Sequence, residues 1–311
     1  MATLICGSIA YDTIMVFPGE FKDHILPEKV HILNVAFLVP EMRREFGGTA
    51  GNIAYNLNML GGKPLIMATV GQDSDTYIER MRKLGLNTQY VRRIPSSYTA
   101  QAFITTDQAD NQITAFHPGA MSYSHENKVG DADGVKLGIV SPDGREGMIE
   151  HAKQFKAAGI PFIFDPGQGM PMFSGTELLD FVANADYVTV NDYEAQMLSE
   201  RTGKSFEELA ALTKAFIVTR GALGSEIHLG HEVVHIPCVR AEKVVDPTGC
   251  GDAYRAGLLF GLERAMDWPT IGRLASLLGS IKIGYRGGQS HHFTAAEIRS
   301  QFDTEFGYMP W

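Results

Sequence analysis

Asp252 closes the run Val244-Val245-Asp246-Pro247-Thr248-Gly249-Cys250-Gly251-Asp252, in which a short apolar strand is expected to lead through a Gly-x-Gly turn into a helix from Ala253 to Met266. Gly249 and Gly251 lack Cβ, so the backbone N–H groups of Gly249, Cys250 and Gly251 can turn toward one point, and the unpaired donors of the following helix add their positive end. An oxygen-rich group fits there. Asp252 would repel a phosphate, but it can take a proton from a hydroxyl held beside it. Three readings of the stretch stand side by side. Asp252 is an N-cap; or the glycines are half of a dinucleotide fingerprint whose third glycine is replaced by Tyr254; or the site transfers a phosphoryl group, with the N–H groups steadying the moving charge and Asp252 as base.

Further candidates lie where predicted strands end. Leu4-Ile5-Cys6 runs into the turn Gly7-Ser8-Ile9-Ala10-Tyr11-Asp12, which brings a carboxylate to the C-terminal side of a buried strand, the edge at which open α/β sheets collect ligands. Gly47-Gly48-Thr49-Ala50-Gly51-Asn52 precedes a helix from Ile53 to Leu60, and reads either as tight packing or as a loop that binds hydroxyls through Gly48 and Asn52. Asn191 and Glu194 follow the strand Tyr187 to Val190, as a cap with an exposed acid or as partners of a phosphate or a metal-bound water. The glycine turn Arg220-Gly221-Ala222-Leu223-Gly224, after the strand that ends at Thr219, can pass under a nucleotide. His231-Glu232-Val233-Val234-His235 matches a zinc-protease pattern, but Gly230 and Pro237 flank it and the apolar spacing is that of a hairpin, where residues i and i+4 stand about 13 Å apart.

The elements that must position these residues alternate regularly. Strands at Pro64 to Val70, Val135 to Val140, Pro161 to Asp165, Tyr187 to Val190 and Ala215 to Thr219 are separated by helices at Thr76 to Leu84, Arg145 to Ala158 and Glu177 to Ala183, and helices at Thr270 to Ile283 and Ala295 to Phe302 close the chain. This predicts a mainly parallel sheet covered on both faces. Two stretches break the pattern: Val30 to Val39, and Tyr98 to His117 with its turn at residues 107–111. They are expected to form a small β lid from residues 14–40 and 98–117, inserted in one continuous domain over 1–311. The 311 residues are 44% apolar with a formal charge of −9 and no basic cluster, which supports a substantial core and argues against a nucleic-acid or membrane surface as partner. Cys6, Cys238 and Cys250 have neither even pairing nor metal spacing, and no apolar run approaches the ~18 residues of a membrane helix, so a cytoplasmic location is expected.

Asp246-Pro247-Thr248-Gly249-Cys250-Gly251-Asp252 closely resembles the C-terminal signature of the ribokinase-like (PfkB-type) sugar and nucleoside kinases. Gly47 to Asn52 resembles their N-terminal signature and Asn191-Asp192-Tyr193-Glu194 their Asn-x-x-Glu motif, in the family's order. The resemblance implies a ribokinase-like fold with a β lid, ATP as phosphoryl donor and magnesium. It makes Asp252 the base, Gly249, Cys250 and Gly251 the anion hole, and Asp12, Gly48 and Asn52 the binders of sugar hydroxyls. Asn191, Thr219, Gly221 and Gly224 would serve the nucleotide and Glu194 the magnesium, through water. Two departures matter: a cysteine stands between the hole glycines, and Pro247 removes an N–H from a loop where some members hold a monovalent cation, which leaves that cation open. Residues 111–121 and 164–169 are similar to bacterial adenosine or nucleoside kinases of the family. They favour a nucleoside 5'-hydroxyl as acceptor, adenosine first, over a free sugar of the ribose or fructose type. Phe37, Phe103, Phe116 and Met121 are candidates to line the base slot, and the lid is a candidate homodimer surface. Arg43 and Arg44 are the nearest counter-charges for a phosphorylated acceptor. A catalytically silent sensor on the same fold is the alternative from another class.

Overall fold

A computed structural model describes residues 2–25, 31–32, 34–109 and 111–311. In chain order the strands are β1 (Ala2–Cys6), β2 (Ala10–Val16), β3 (Glu41–Gly47), β4 (Pro64–Val70), β5 (Val91–Arg93), β6 (Ala100–Thr106), β7 (Gln112–His117), β8 (Val135–Val140), β9 (Phe162–Phe164), β10 (Tyr187–Asn191), β11 (Ala215–Thr219), β12 (Ser225–Leu229) and β13 (Glu232–Ile236). The helices are α1 (Thr49–Met59), α2 (Asp75–Lys83), α3 (Arg145–Ala158), α4 (Gly175–Asn184), α5 (Asp192–Thr202), α6 (Phe206–Ala210), α7 (Cys250–Glu263), α8 (Trp268–Lys282) and α9 (Ala295–Phe306).

Leu4, Ile5 and Cys6 are almost wholly buried, as an unbroken apolar run covered on both faces must be. They place β1 inside a nine-stranded sheet of order β13-β12-β11-β10-β9-β8-β1-β4-β5. The strands from β5 to β11 pair in parallel, and β12 and β13 add an antiparallel hairpin at one edge. Because β4 flanks β1 on one side and β8 on the other, the chain leaves β1 in both directions, and the crevice beyond its carboxyl end lies at a topological switch point.

Two apolar clusters fill the two faces of the sheet. In the first, α1 and α7 pack side by side, which brings residues from opposite ends of the chain together. α7 in turn lies close on α8 through Gly257, where a Cβ would meet the Ala275 Cα at 2.6 Å.

The lid is a separate four-stranded sheet of order β3-β2-β6-β7. Its second half matches the expected hairpin, with residue 110 of the turn outside the described residues. Its first half differs from the alternation read at Val30 to Val39. Residues 26–30 and 33 lie outside the described residues, and 34–40 form no strand. The lid strands are β2 and β3 instead, paired antiparallel from Ala10 opposite Gly47 to Val16 opposite Glu41. Phe37 explains why the alternation misleads: it packs tilted against Phe17 and Phe21, each with ring centroids 4.9 Å away, in a cluster of its own. The strand expected at Val244-Val245 is also missing. Both valines are exposed and unpaired in the sheets, and the approach to α7 is an extended loop.

Candidate active site

The carboxyl ends of β1, β8, β9, β10 and β11 present Ser8, Asp143, Asp165, Asn191 and Thr219 to one cavity of about 770 Å³, roofed by lid residues Ala10, Asp12, Ala102 and Phe116. Gly48, Asn52, Glu194, Gly221, Gly249, Gly251 and Asp252 complete the expected set along its walls, whereas Cys250 and Gly224 do not line it. The Cys250 N–H donates to the Pro247 carbonyl at 3.1 Å. Gly224, at φ +86°, makes the turn into β12, where a Cβ would meet the Ile236 carbonyl oxygen at 2.1 Å.

Asp252 is not a cap. Gly249, at φ +79°, is the N-cap of α7 and makes no side-chain cap bond, so Asp252 stands third in the helix with its carboxylate turned to the cavity. There Oδ2 accepts a 2.8 Å hydrogen bond from Asn52 Nδ2 on α1. The direction of that amide is fixed by what lies behind it. Gln289 Nε2 donates to Asn52 Oδ1 at 3.0 Å and to the Tyr77 hydroxyl at 2.6 Å, and Tyr77 donates to the Gly47 carbonyl at 2.7 Å. With its oxygen engaged, Asn52 can only offer N–H to Asp252. Burial pushes Asp252 up to about 7, with Asp165 and Asp12 adding to the rise and the Asn52 hydrogen bond and Arg255 opposing it.

One turn further along α7, Arg255 forms a buried, two-pronged pair with Asp165, Nε to Oδ2 at 2.8 Å and Nη2 to Oδ1 at 2.9 Å. The position of an acid after Phe164 and of a basic residue three after Asp252 is visible in the sequence, but only the fold joins them across 90 residues. Asp143 likewise carries no local signal in the sequence. It is 2% exposed at the end of β8, and burial pushes it up to about 8.

Asp12 sits on β2 rather than in a turn, directly opposite Glu45 of β3. Burial, then the charges of Glu45 and Asp246, raise it to about 6. Gly47 and Gly48 are glycine for close approach: a Cβ on Gly47 would stand 2.5 Å from Asp12 Oδ2, and one on Gly48 2.5 Å from the Ser8 carbonyl. Asn191 and Glu194 form a reciprocal capping box at the start of α5, with Glu194 Oε2 accepting the Asn191 N–H at 2.8 Å and Asn191 Oδ1 the Glu194 N–H at 2.7 Å. The cap and the cavity wall are therefore the same two residues, and Glu194 Oε1 takes no part in the cap. Of the four candidates for a base slot, Phe116 and Met121 line the cavity, Phe37 lies in its separate cluster, and Phe103 is 41% exposed. Arg43 pairs with Glu45, and Arg44 with Asp73 while covering the Tyr11 ring, so neither reaches the cavity. The two histidines of the His-Glu-Val-Val-His run fall on and beside β13, as the hairpin reading expects.

A parallel sheet whose carboxyl ends open beneath a β lid, with the glycine turn of α7 beside the crevice, defines a phosphotransferase of the ribokinase-like fold, a kinase that acts on a hydroxyl group. The chain belongs to the pfkB family of carbohydrate kinases, whose profile matches residues 12–294. Its structure is similar to that of the Burkholderia thailandensis nucleoside kinase in complex with inosine, with 54% identity, a TM-score of 0.90 and 99% of each chain covered. The complex of that kinase with ADP and inosine is similar at a TM-score of 0.88, over 99% of this chain and 97% of the other. The nucleoside kinase of Methanocaldococcus jannaschii is 30% identical over 267 residues, 85% of this chain and 87% of that protein. A ribokinase from Thermotoga maritima shares the fold, with a TM-score of 0.82 at 22% identity over 98% of this chain and 99% of the other.

Proposed function

We propose that this kinase transfers the γ-phosphoryl group of ATP to the 5'-hydroxyl of a purine nucleoside, adenosine first and inosine with it. The observation that carries the reading is the Asn52–Asp252 pair, which sets an aimed carboxylate at the start of α7 beside Gly249 and Gly251. Asp252 takes the hydroxyl proton as the oxygen attacks, and the donors of Gly249, Gly251 and the α7 terminus steady the charge on the moving group. A value near 7 matches a base that must be ionised yet able to hold a proton at neutral pH. A silent sensor has no use for such a group.

Asp12, Gly48 and Asn52 would hold the ribose. Phe116 and Met121, with Met172 of the same cavity, offer apolar surface to a base. A free sugar would leave that surface uncovered, and a phosphorylated one would find Arg43 and Arg44 committed elsewhere. Thr219 and Gly221 would line the nucleotide site. Among the described residues, five carboxylates, Asp12, Asp143, Asp165, Glu194 and Asp252, line the cavity with Arg255 as the one cationic side chain, and Arg255 is already paired. Magnesium bound with the ATP phosphates would neutralise their charge against this acidic wall, and Asn191 and Glu194, whose Oε1 takes no part in the cap, would hold its water.

The experiment offers the enzyme ATP, magnesium and equimolar adenosine, inosine, ribose and fructose, with products separated by mass. Nucleoside 5'-monophosphates are expected to dominate; a sugar phosphate as sole product overturns the nucleoside assignment. Asp12→Ala is expected to raise KM for the nucleoside about tenfold to a hundredfold, the loss of a charge-assisted hydrogen bond, while KM for ATP barely moves. Equal damage to both would place Asp12 in the scaffold.

The outer lid exposes Met42, Phe103 and Ile113, at 70%, 41% and 44%, which supports pairing of two chains through this sheet. Sedimentation is expected to give a dimer that Phe103→Asp weakens. A wild-type monomer at high concentration would remove the proposal.

A further inference from the structure

Lys282, the last residue of α8, is fully buried, and its ammonium is held by backbone. Nζ donates to the Asp246 carbonyl at 2.8 Å and to the Tyr285 carbonyl at 2.9 Å. The Asp246 carboxylate closes the arrangement from the other side: Oδ1 accepts the Thr248 N–H at 2.9 Å and Oδ2 the Gly287 N–H at 2.8 Å. Two loops are thereby joined, the approach to α7 and the glycine loop after α8. Lys282 Cε lies 3.6 Å from where a Cβ on Gly249 would stand, immediately behind the residue that caps α7.

Burying an ammonium is costly unless carbonyl or carboxylate oxygens replace its water, and carbonyls from two loops converging on one point are equally the surroundings of a bound monovalent cation. The same loop is where the family resemblance left such a cation open. The residues present do not fit it: the place is filled by a covalently attached positive charge, which would share the same carbonyls with an incoming ion and repel it.

We propose that the Lys282 ammonium stands in for a dissociable monovalent cation, so that this enzyme works at full rate without potassium. Lys282 is a positioning residue. It touches no substrate and acts by fixing the Asp246–Gly249 loop, and with it the donors of Gly249 and Gly251 and the placement of Asp252. The inference rests on the kinase reading above.

The test replaces potassium chloride by tetramethylammonium chloride at constant ionic strength and measures both rate and melting temperature. Wild type is expected to show the same kcat in either salt, and no potassium-dependent rise in melting temperature. Lys282→Ala empties the site: kcat is expected to fall at least about tenfold while KM for the nucleoside changes less, because the donors are misplaced rather than removed. Potassium, but not tetramethylammonium, should then raise both its rate and its melting temperature, a rescue that lost packing alone would not show. Potassium stimulation of wild type by about tenfold, or full activity of Lys282→Ala without potassium, overturns the proposal. Should Lys282→Ala fail to fold, the wild-type titration decides by itself. A wild type inactive in both salts would instead count against the kinase reading, and the melting curves separate the two failures.

Discussion

Asp252→Asn is expected to lower kcat by about 10² to 10⁴ while leaving the fold and nucleotide binding intact, the usual cost of losing a general base. The substitution is nearly isosteric. Asn52 Nδ2, which now donates to Asp252 Oδ2, can donate equally to an amide oxygen, so the Gln289–Asn52 arrangement is retained. Only the capacity to take a proton is lost. Stability separates this from damage to the fold. The folded value of Asp252, about 7, lies above the unfolded one of about 3.9, so the folded state binds this proton more tightly than the unfolded chain. The carboxylate's contribution is therefore most favourable at low pH and is lost as pH rises through the folded value. At pH 8 the ionised group opposes folding, and the neutral amide is expected to melt no lower than wild type and to melt higher if the site stays dry. A variant within threefold of wild-type kcat, or one that melts well below it, would remove Asp252 from the role of base.

Asp165→Ala is expected to cost about 3–5 kcal/mol of stability, because it leaves the Arg255 guanidinium buried without its counter-charge. The two side chains are 7% and 4% exposed, and both oxygens of the carboxylate are used. An exposed ion pair such as Lys204–Glu208 should lose far less on the same treatment, and serves as the control. Urea unfolding, with the midpoint and slope fitted separately, measures the difference. The same change acts on the site: Asp165 is among the charges that raise Asp252, so its removal should shift the acid limb of activity to lower pH. A loss below about 1 kcal/mol would mean that water enters and solvates Arg255, and that the pair does not lock the start of α7 to β9.

Where sequence patterning is strong, it also locates the fold. Val135 to Val140, Arg145 to Ala158 and Ala215 to Thr219 occur with the expected limits, because an unbroken apolar run or a helical repeat is local information. The lid was legible where a turn announces it, between β6 and β7, and misplaced where it does not. Glu41-Met42-Arg43-Arg44-Glu45 reads as a polar surface segment, and it becomes a strand because β2, some 30 residues earlier, supplies its partner. Val244 and Val245 carry strand propensity, but the Val245 N–H goes to the Ile283 carbonyl just past α8 and the segment stays an extended loop.

Of the site, the glycine turns and Asp252 were legible because glycine spacing and a carboxylate at a helix start have few uses. The residues behind them were not. Gln289 bonds Asn52 and Tyr77, and Lys282 bonds the Asp246 carbonyl, between residues far apart in the chain, and a buried Lys or Gln looks in sequence like any surface residue of its type. Asp165 and Arg255 were hidden for the same reason.

The role of Asp252 is tested most directly by the pH dependence of kcat/KM for the nucleoside at saturating ATP and magnesium, which reports the ionisations of the enzyme form that the nucleoside binds. With Asp252 as base at about 7 and Asp12 as a ribose ligand at about 6, activity should be level on the alkaline side, fall tenfold per unit as pH drops below about 7, and steepen below about 6. Asp252→Asn should retain only the lower break. A wild-type profile level from pH 5 to pH 8, or a break near 7 that persists in Asp252→Asn, would contradict the assignment of Asp252 as the proton acceptor.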